Sequence, residues 1–342
     1  MTDSALLAVA VLGAVAAVLL IAHRRTRRSG RPQPAPLPES PHQRLPAVVV
    51  NPSRFDDVVP VCVEITRVCA ELGWAEPLWL ETSVEDPGMG QAKAALAAGA
   101  DVVLVCGGDG TIRNVAQVLA GSGTAVGLLP AGTGNLLARN LALHLEGIEA
   151  ATRIALSGQN RALDVGRVRI DDGAEEQVFL VMAGMGFDAE IMAGAPTQWK
   201  DRVGPLAYFV SGIRALSGPR VRISVAMDGQ PALRRRVRTV VVGNCGKLLA
   251  GLVLMPAAKV DDGLLDVVAI APKGIIGWLA VAARVITRRR SGHPIVEHWQ
   301  GTEVTITAEG PQQAQLDGDP VGEARVLRMR VEQGALLVRV AS

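Results

Sequence analysis

The chain has 342 residues, of which 49% are hydrophobic but only 3% aromatic, and its net charge is +2. That length allows two domains and a large core, built from Val, Leu, Ile and Ala rather than from rings. The near-neutral charge argues against a nucleic-acid surface, and the four cysteines (Cys62, Cys69, Cys106, Cys245) lack the C-x-x-C spacing of a thiolate metal site or a disulfide framework.

The first feature in chain order is residues 5–22, 18 residues without a charge. As a helix they would span about 27 Å, close to the thickness of a bilayer's hydrocarbon core. Arg24, Arg25, Arg27, Arg28 and Arg31 follow, and only Asp3 precedes. This asymmetry predicts an N-terminal transmembrane helix in a single-pass cell-membrane protein, with the catalytic domain on the cytoplasmic side. The arginines suit an anionic membrane surface. The expected organisation is an anchor with its basic cluster (1–30), a Pro-rich linker (31–46), a nucleotide-binding α/β domain (47–158) and a β-rich lipid-acceptor domain (159–342).

The α/β domain begins with an apolar strand at 47–50, ending at Asn51, Pro52 and Ser53. Val61, Ile65, Val68 and Leu72 follow at helical spacing, and residues 78–82 read as a second strand ending at Thr82. Asp86-Pro87 predicts a helix start. Residues 102–106 are an unbroken apolar run, the pattern of a strand buried on both faces. A fourth strand is expected at 125–129. Alternating strands and helices predict a doubly wound, mostly parallel sheet whose ligand crevice lies at the carboxyl ends of the strands.

Two glycine-rich loops open onto that crevice. The first is Gly107-Gly108-Asp109-Gly110-Thr111, with Thr111 expected as the helix N-cap; the second includes Gly132, Thr133, Gly134 and Asn135. A strand, a glycine-rich loop and a helix start together aim main-chain N–H groups at phosphate. A carboxylate there, Asp109, favours phosphoryl transfer with Mg²⁺ over simple phosphate binding. Taken alone, Gly-Gly-Asp-Gly reads equally as a tight turn; the second loop makes that less suitable.

Beyond residue 160 the pattern changes to strands at 162–170, 177–183, 220–227, 237–243, 264–271, 303–307, 314–316, 325–331 and 335–340. Asp228-Gly229, Asp262-Gly263 and Asp317-Gly318 mark turns. Helices are expected only around 208–217 and 275–288. This half reads as a largely antiparallel β domain.

The ordered set Asn51-Pro52-Ser53, Gly107-Gly108-Asp109-Gly110-Thr111, Pro130-Ala131-Gly132-Thr133-Gly134-Asn135, Gly184-Met185-Gly186-Phe187-Asp188, Gly243-Asn244, Asp261-Asp262-Gly263-Leu264-Leu265-Asp266 and Leu316-Asp317-Gly318-Asp319 resembles the diacylglycerol kinase catalytic-domain lipid kinases. The resemblance implies an ATP-dependent kinase acting on a lipid hydroxyl. By analogy Asn51, Pro52, Ser53, Thr82, Gly107, Gly108, Asp109, Gly110, Thr111, Arg113, Gly132, Thr133 and Asn135 would hold ATP. Asp262, with backbone oxygens near Lys259 and Leu264, would mark the Mg²⁺ position. Asp319 stands where the family usually carries a Glu that accepts the substrate proton, and Asp109 joins it as a catalytic candidate.

The sequence departs from the family pattern at three places. Asp319 is one methylene shorter than Glu. Leu136 replaces a common Asp whose network, in relatives, involves the positions of Arg139 and Asp164. Arg113-Asn114 replaces a usual Asn-Glu, and Arg113 is expected to reach a nucleotide phosphate. A membrane lipid such as diacylglycerol is the expected substrate. A kinase of a soluble acceptor, NAD kinase-like, and a non-catalytic nucleotide-responsive lipid-binding protein are the alternatives.

Overall fold

The computed structural model describes residues 43–143, 147–186, 220–248, 253–272, 277, 281 and 295–341. Four strands build the first sheet: β1 (Pro46–Val50), β2 (Leu78–Glu81), β3 (Val102–Gly107) and β4 (Ala125–Pro130). All pair in parallel, in the order β4-β3-β1-β2. Five helices accompany them: α1 (Val59–Glu71), α2 (Met89–Ala97), α3 (Asp109–Leu119), α4 (Leu136–Asn140) and α5 (Ile148–Ser157).

The period of two along β1 and β3 explains the layering. Val49, Val103 and Val105 pack with Ala92 and Ala95 of α2 and Ile112, Val115 and Leu119 of α3. Val48, Val50, Leu104 and Cys106 face the other way, onto Ile65 and Val68 of α1 and Ala151, Ala155 and Leu156 of α5. Both faces are covered, which is why these strands carry no polar alternation.

The second half is a set of long antiparallel strands: β5 (Gln159–Ile170), β6 (Gln177–Phe179), β7 (Met182–Met185), β8 (Val221–Met227), β9 (Leu233–Val237), β10 (Thr239–Gly243), β11 (Leu265–Ile270), β12 (Val296–Gly301), β13 (Glu303–Leu316) and β14 (Asp319–Val340). β14 is the seam. It pairs antiparallel with β13 and β5, and in parallel with β4 through Val338 and Val126. The two halves therefore share one 14-stranded sheet.

Several expectations are corrected. The N-terminal transmembrane helix and the single-pass, cell-membrane location are withdrawn: among the described residues no helix is long and apolar enough to cross a membrane. Residues 5–22, with the basic cluster and residues 31–42 of the Pro-rich stretch, lie outside the described residues, as do Phe187, Asp188, residues 208–217 and, apart from 277 and 281, residues 275–288. What stands is the α/β half joined to the β half.

Helix starts also move. Thr111 is not the N-cap of α3; the helix begins at Asp109, after Gly108. The helix expected from Asp86-Pro87 begins at Met89, although the Asp86 carboxylate still accepts from Gly90 N at 3.0 Å. The run 177–183 is two strands, because the N–H groups of Leu180, Val181 and Met182 all turn to Asp317.

Candidate active site

The parallel register brings the carboxyl ends of β1, β3 and β4 together. Asn51 N donates to Cys106 O at 2.9 Å, Thr82 N to Val50 O at 2.9 Å and Ala131 N to Gly107 O at 3.1 Å. The two glycine-rich loops thus lie side by side. A Cβ on Gly132 would sit 2.7 Å from the Cα of Gly108, closer than side-chain carbons come to backbone. Gly132→Ala is accordingly expected to push the loops apart and to lower the melting temperature, as read by calorimetric unfolding.

Asp109 joins the loops covalently distant but spatially adjacent. Its Oδ1 accepts from Leu136 N at 2.7 Å, capping α4 from the neighbouring loop. Burial raises the Asp109 carboxyl above its ordinary value, opposed by the N–H groups of Leu136, Asn135 and Leu137, while the nearby Asp319 charge raises it further. Asn135, at φ 48°, closes its own loop: its Oδ1 accepts from Gly132 N at 3.0 Å and its Nδ2 donates to Gly132 O at 2.8 Å. Asn51 accepts from Ser53 N and Ser53 Oγ, at 3.1 and 2.7 Å, and its Nδ2 lies 3.4 Å from Thr111 Oγ1.

Asp319 arrives from the far end of the chain. Asp317 and Gly318, at φ 50° and 94°, make the tight turn between β13 and β14, and Leu316 pairs with Asp319 across it. The Asp317 side chain is buried, and its carboxylate accepts from Leu180, Val181 and Met182 N at 2.8–2.9 Å. That fixes the hairpin tip against the β6–β7 junction. Asp319 then projects at the first glycine loop: a Cβ on Gly110 would lie 2.9 Å from its Oδ2. Asp109 and Asp319 therefore flank the same glycine loop, close enough for their charges to interact.

Arg113, expected on the nucleotide, is instead engaged with the hairpin. Its Nη2 is 2.9 Å from Asp319 Oδ2, and its Nη1 donates to Leu316 O. A cation that the sequence reading passed over is Arg54. Its guanidinium lies over Gly108, 3.4 Å from where a Cβ would be, and the side chain is exposed. The only signal for it was a basic residue directly after Asn51-Pro52-Ser53.

With Leu136 in place of the relatives' carboxylate, Arg139 and Asp164 make other contacts. Leu136 packs into the core, Arg139 Nε donates to Gly134 O at 2.7 Å, and Asp164 accepts from Gly263 N at 2.6 Å and Gly334 N at 2.8 Å. Asp164 thereby pins the loop that carries Asp262. Within that loop Asp262 Oδ1 accepts from Leu264 N at 3.2 Å, and Lys259 is exposed. Among the described residues no three His, Cys, Asp or Glu side chains gather as a metal cluster. Asp262 is thus the one carboxylate of the expected Mg²⁺ set, and it accepts from a main-chain donor.

Comparison with known proteins meets this geometry. Residues 64–168 match the diacylglycerol kinase catalytic domain, and residues 181–340 match the YegS C-terminal NAD kinase beta sandwich-like domain. A diacylglycerol kinase of Mycobacterium tuberculosis is 35% identical over 176 residues, 51% of this chain. The chain spans only 56% of that relative's length. A protein of Pseudomonas aeruginosa named "Probable lipid kinase YegS-like" is 33% identical over 258 residues, 72% of this chain and 78% of its own. The crystal structure of a diacylglycerol kinase from Bacillus anthracis superposes with a TM-score of 0.65 at 21% identity, covering 87% of this chain and 96% of that one, and so shares the fold. The chain belongs to the diacylglycerol kinase family of lipid kinases.

Proposed function

We propose that this protein transfers the γ-phosphate of ATP to a hydroxyl of a lipid, with diacylglycerol the leading acceptor. What supports the reading is that two glycine loops and two carboxylates, Asp109 and Asp319, lie beside one another, although 209 positions of sequence separate the carboxylates.

In this reading Gly107, Gly108, Gly110, Thr111, Gly132 and Thr133 hold the phosphates mainly through the main chain, with Asn51, Pro52, Ser53 and Thr82 at the neighbouring strand ends. Arg54 adds a positive charge over Gly108. Asp109 keeps the second loop in register. Asp319 takes the proton of the acceptor hydroxyl while that oxygen bonds to the γ-phosphorus. The bond from the γ-phosphorus to the β–γ bridging oxygen breaks, and ADP leaves with its electrons. Bound Mg²⁺ would neutralise phosphate charge, and Asp262 with the carbonyls of Lys259 and Leu264 would hold one such ion.

The test is direct. The full chain is incubated with γ-labelled ATP and a mixed membrane-lipid extract in detergent micelles. Label is expected in the organic phase and is expected to vanish on adding EDTA. Absence of solvent-extractable label would remove the reading.

A further inference from the structure

Among the described residues Arg113 is the cation that pairs with the candidate proton acceptor, and its surroundings give it a definite task. It sits on the first turns of α3, and its side chain is only 15% exposed. A guanidinium so enclosed needs acceptors for its fixed fork of donors. It finds two, Leu316 O and Asp319 Oδ2, the two residues that face each other across the β13–β14 turn. One planar group thus grips both strands at the neck of the hairpin.

The consequence falls on Asp319. Its Oδ2 is wedged between Arg113 and the bare backbone of Gly110. Its Oδ1 has no hydrogen-bond partner among the described residues, and the side chain is 52% exposed. One oxygen is held, and the other is left without a protein partner among the described residues. Any side chain at position 110 would crowd this carboxylate, since a Cβ there would lie 2.9 Å from Oδ2.

We infer that Arg113 is a positioning residue: it orients Asp319 so that Oδ1 faces the acceptor hydroxyl, and Arg113 with Asp319 works as a matched pair. This rests on the proposed role of Asp319 as proton acceptor. A carboxylate displaced by an ångström loses much of its catalytic benefit, so turnover rather than nucleotide binding should report the pair.

The experiment measures initial rates on the mixed membrane-lipid extract in detergent micelles, with ATP varied, for the full chain and five variants. Arg113→Gln is expected to lower kcat about 10- to 100-fold with the KM for ATP held within about twofold. Arg113→Lys should restore only part of the rate, because an ammonium cannot span both acceptors in one plane. Asp319→Glu alone should be as slow as Arg113→Gln. The double variant Arg113→Gln with Asp319→Glu should be faster than either Arg113→Gln or Asp319→Glu, a coupling that independent roles would not produce.

A wild-type kcat in Arg113→Gln overturns the inference. So does a defect confined to the KM for ATP, which would make Arg113 a nucleotide contact, or a double variant whose loss is the product of the single losses. Asp319→Asn separates the two levels of the argument. If it turns over like wild type, the proton-acceptor reading fails and takes this inference with it. If it is inactive while Arg113→Gln is unimpaired, only the positioning role fails. Should Arg113→Gln not fold, Arg113→Lys against wild type gives the same decision.

Discussion

Asp319→Asn should reduce lipid phosphorylation by roughly 10²- to 10⁴-fold, the range expected when a positioned proton acceptor is lost. The substitution is nearly isosteric, and the side chain is half exposed, so the melting temperature should barely move. Titration calorimetry should show ATP binding close to wild type, because the glycine loops do not depend on Asp319 for their geometry. The measurement that matters is kcat on a lipid acceptor. A variant that retained full turnover would show that another group, or bulk water, takes the proton.

The second large effect is on stability. Asp317→Ala leaves three main-chain donors, Leu180, Val181 and Met182 N, without the carboxylate they all address. Buried unsatisfied donors cost about 1–3 kcal/mol each before relaxation, so a loss of roughly 3 kcal/mol or more is expected in denaturant unfolding. Asp317→Asn should lose less, since one acceptor oxygen survives. The sign of the pH dependence is also set. Burial raises the Asp317 carboxyl above its unfolded value, so its contribution is fullest below the ordinary carboxylate range and declines as pH climbs through the raised folded value. The deficit of the alanine variant should therefore narrow with rising pH. A widening deficit would mean that the backbone donors, rather than desolvation, dominate the site.

How far the sequence could be read follows from where its constraints are local. β1, β3 and β4 were legible because strands covered on both faces need uninterrupted apolar runs, and few other structures do. The two glycine loops were legible because close backbone approach admits little else. Thr111 has good capping chemistry, yet α3 starts at Asp109, after Gly108. In the structure Thr111 is buried two residues inside the helix, near Asn51. β12 went unseen because Val296-Glu297-His298-Trp299-Gln300-Gly301 carries polar groups through a strand that ends the sheet. β13 and β14 were read as fragments since Gly310-Pro311, Gly322 and Gly334 interrupt them, yet the ladder continues through register shifts.

The candidate site was legible only in part. Spacing alone could not place Asp319 beside Gly110, and the resemblance to a family supplied that expectation. The roles of Arg113 and Arg54 depend on which way each side chain turns, which no periodicity encodes. Hydropathy at residues 5–22 prompted a membrane-spanning helix that the described structure does not support.

The seam strand has a consequence for how the molecule comes into being. β14 contributes Asp319 at its first residue and lies against β4 near its last. A nascent polypeptide that has emerged only as far as β13 therefore lacks both Asp319 and the outer neighbour of β4. The proposed transfer therefore waits on the docking of β14, which completes the sheet and delivers Asp319 in one event.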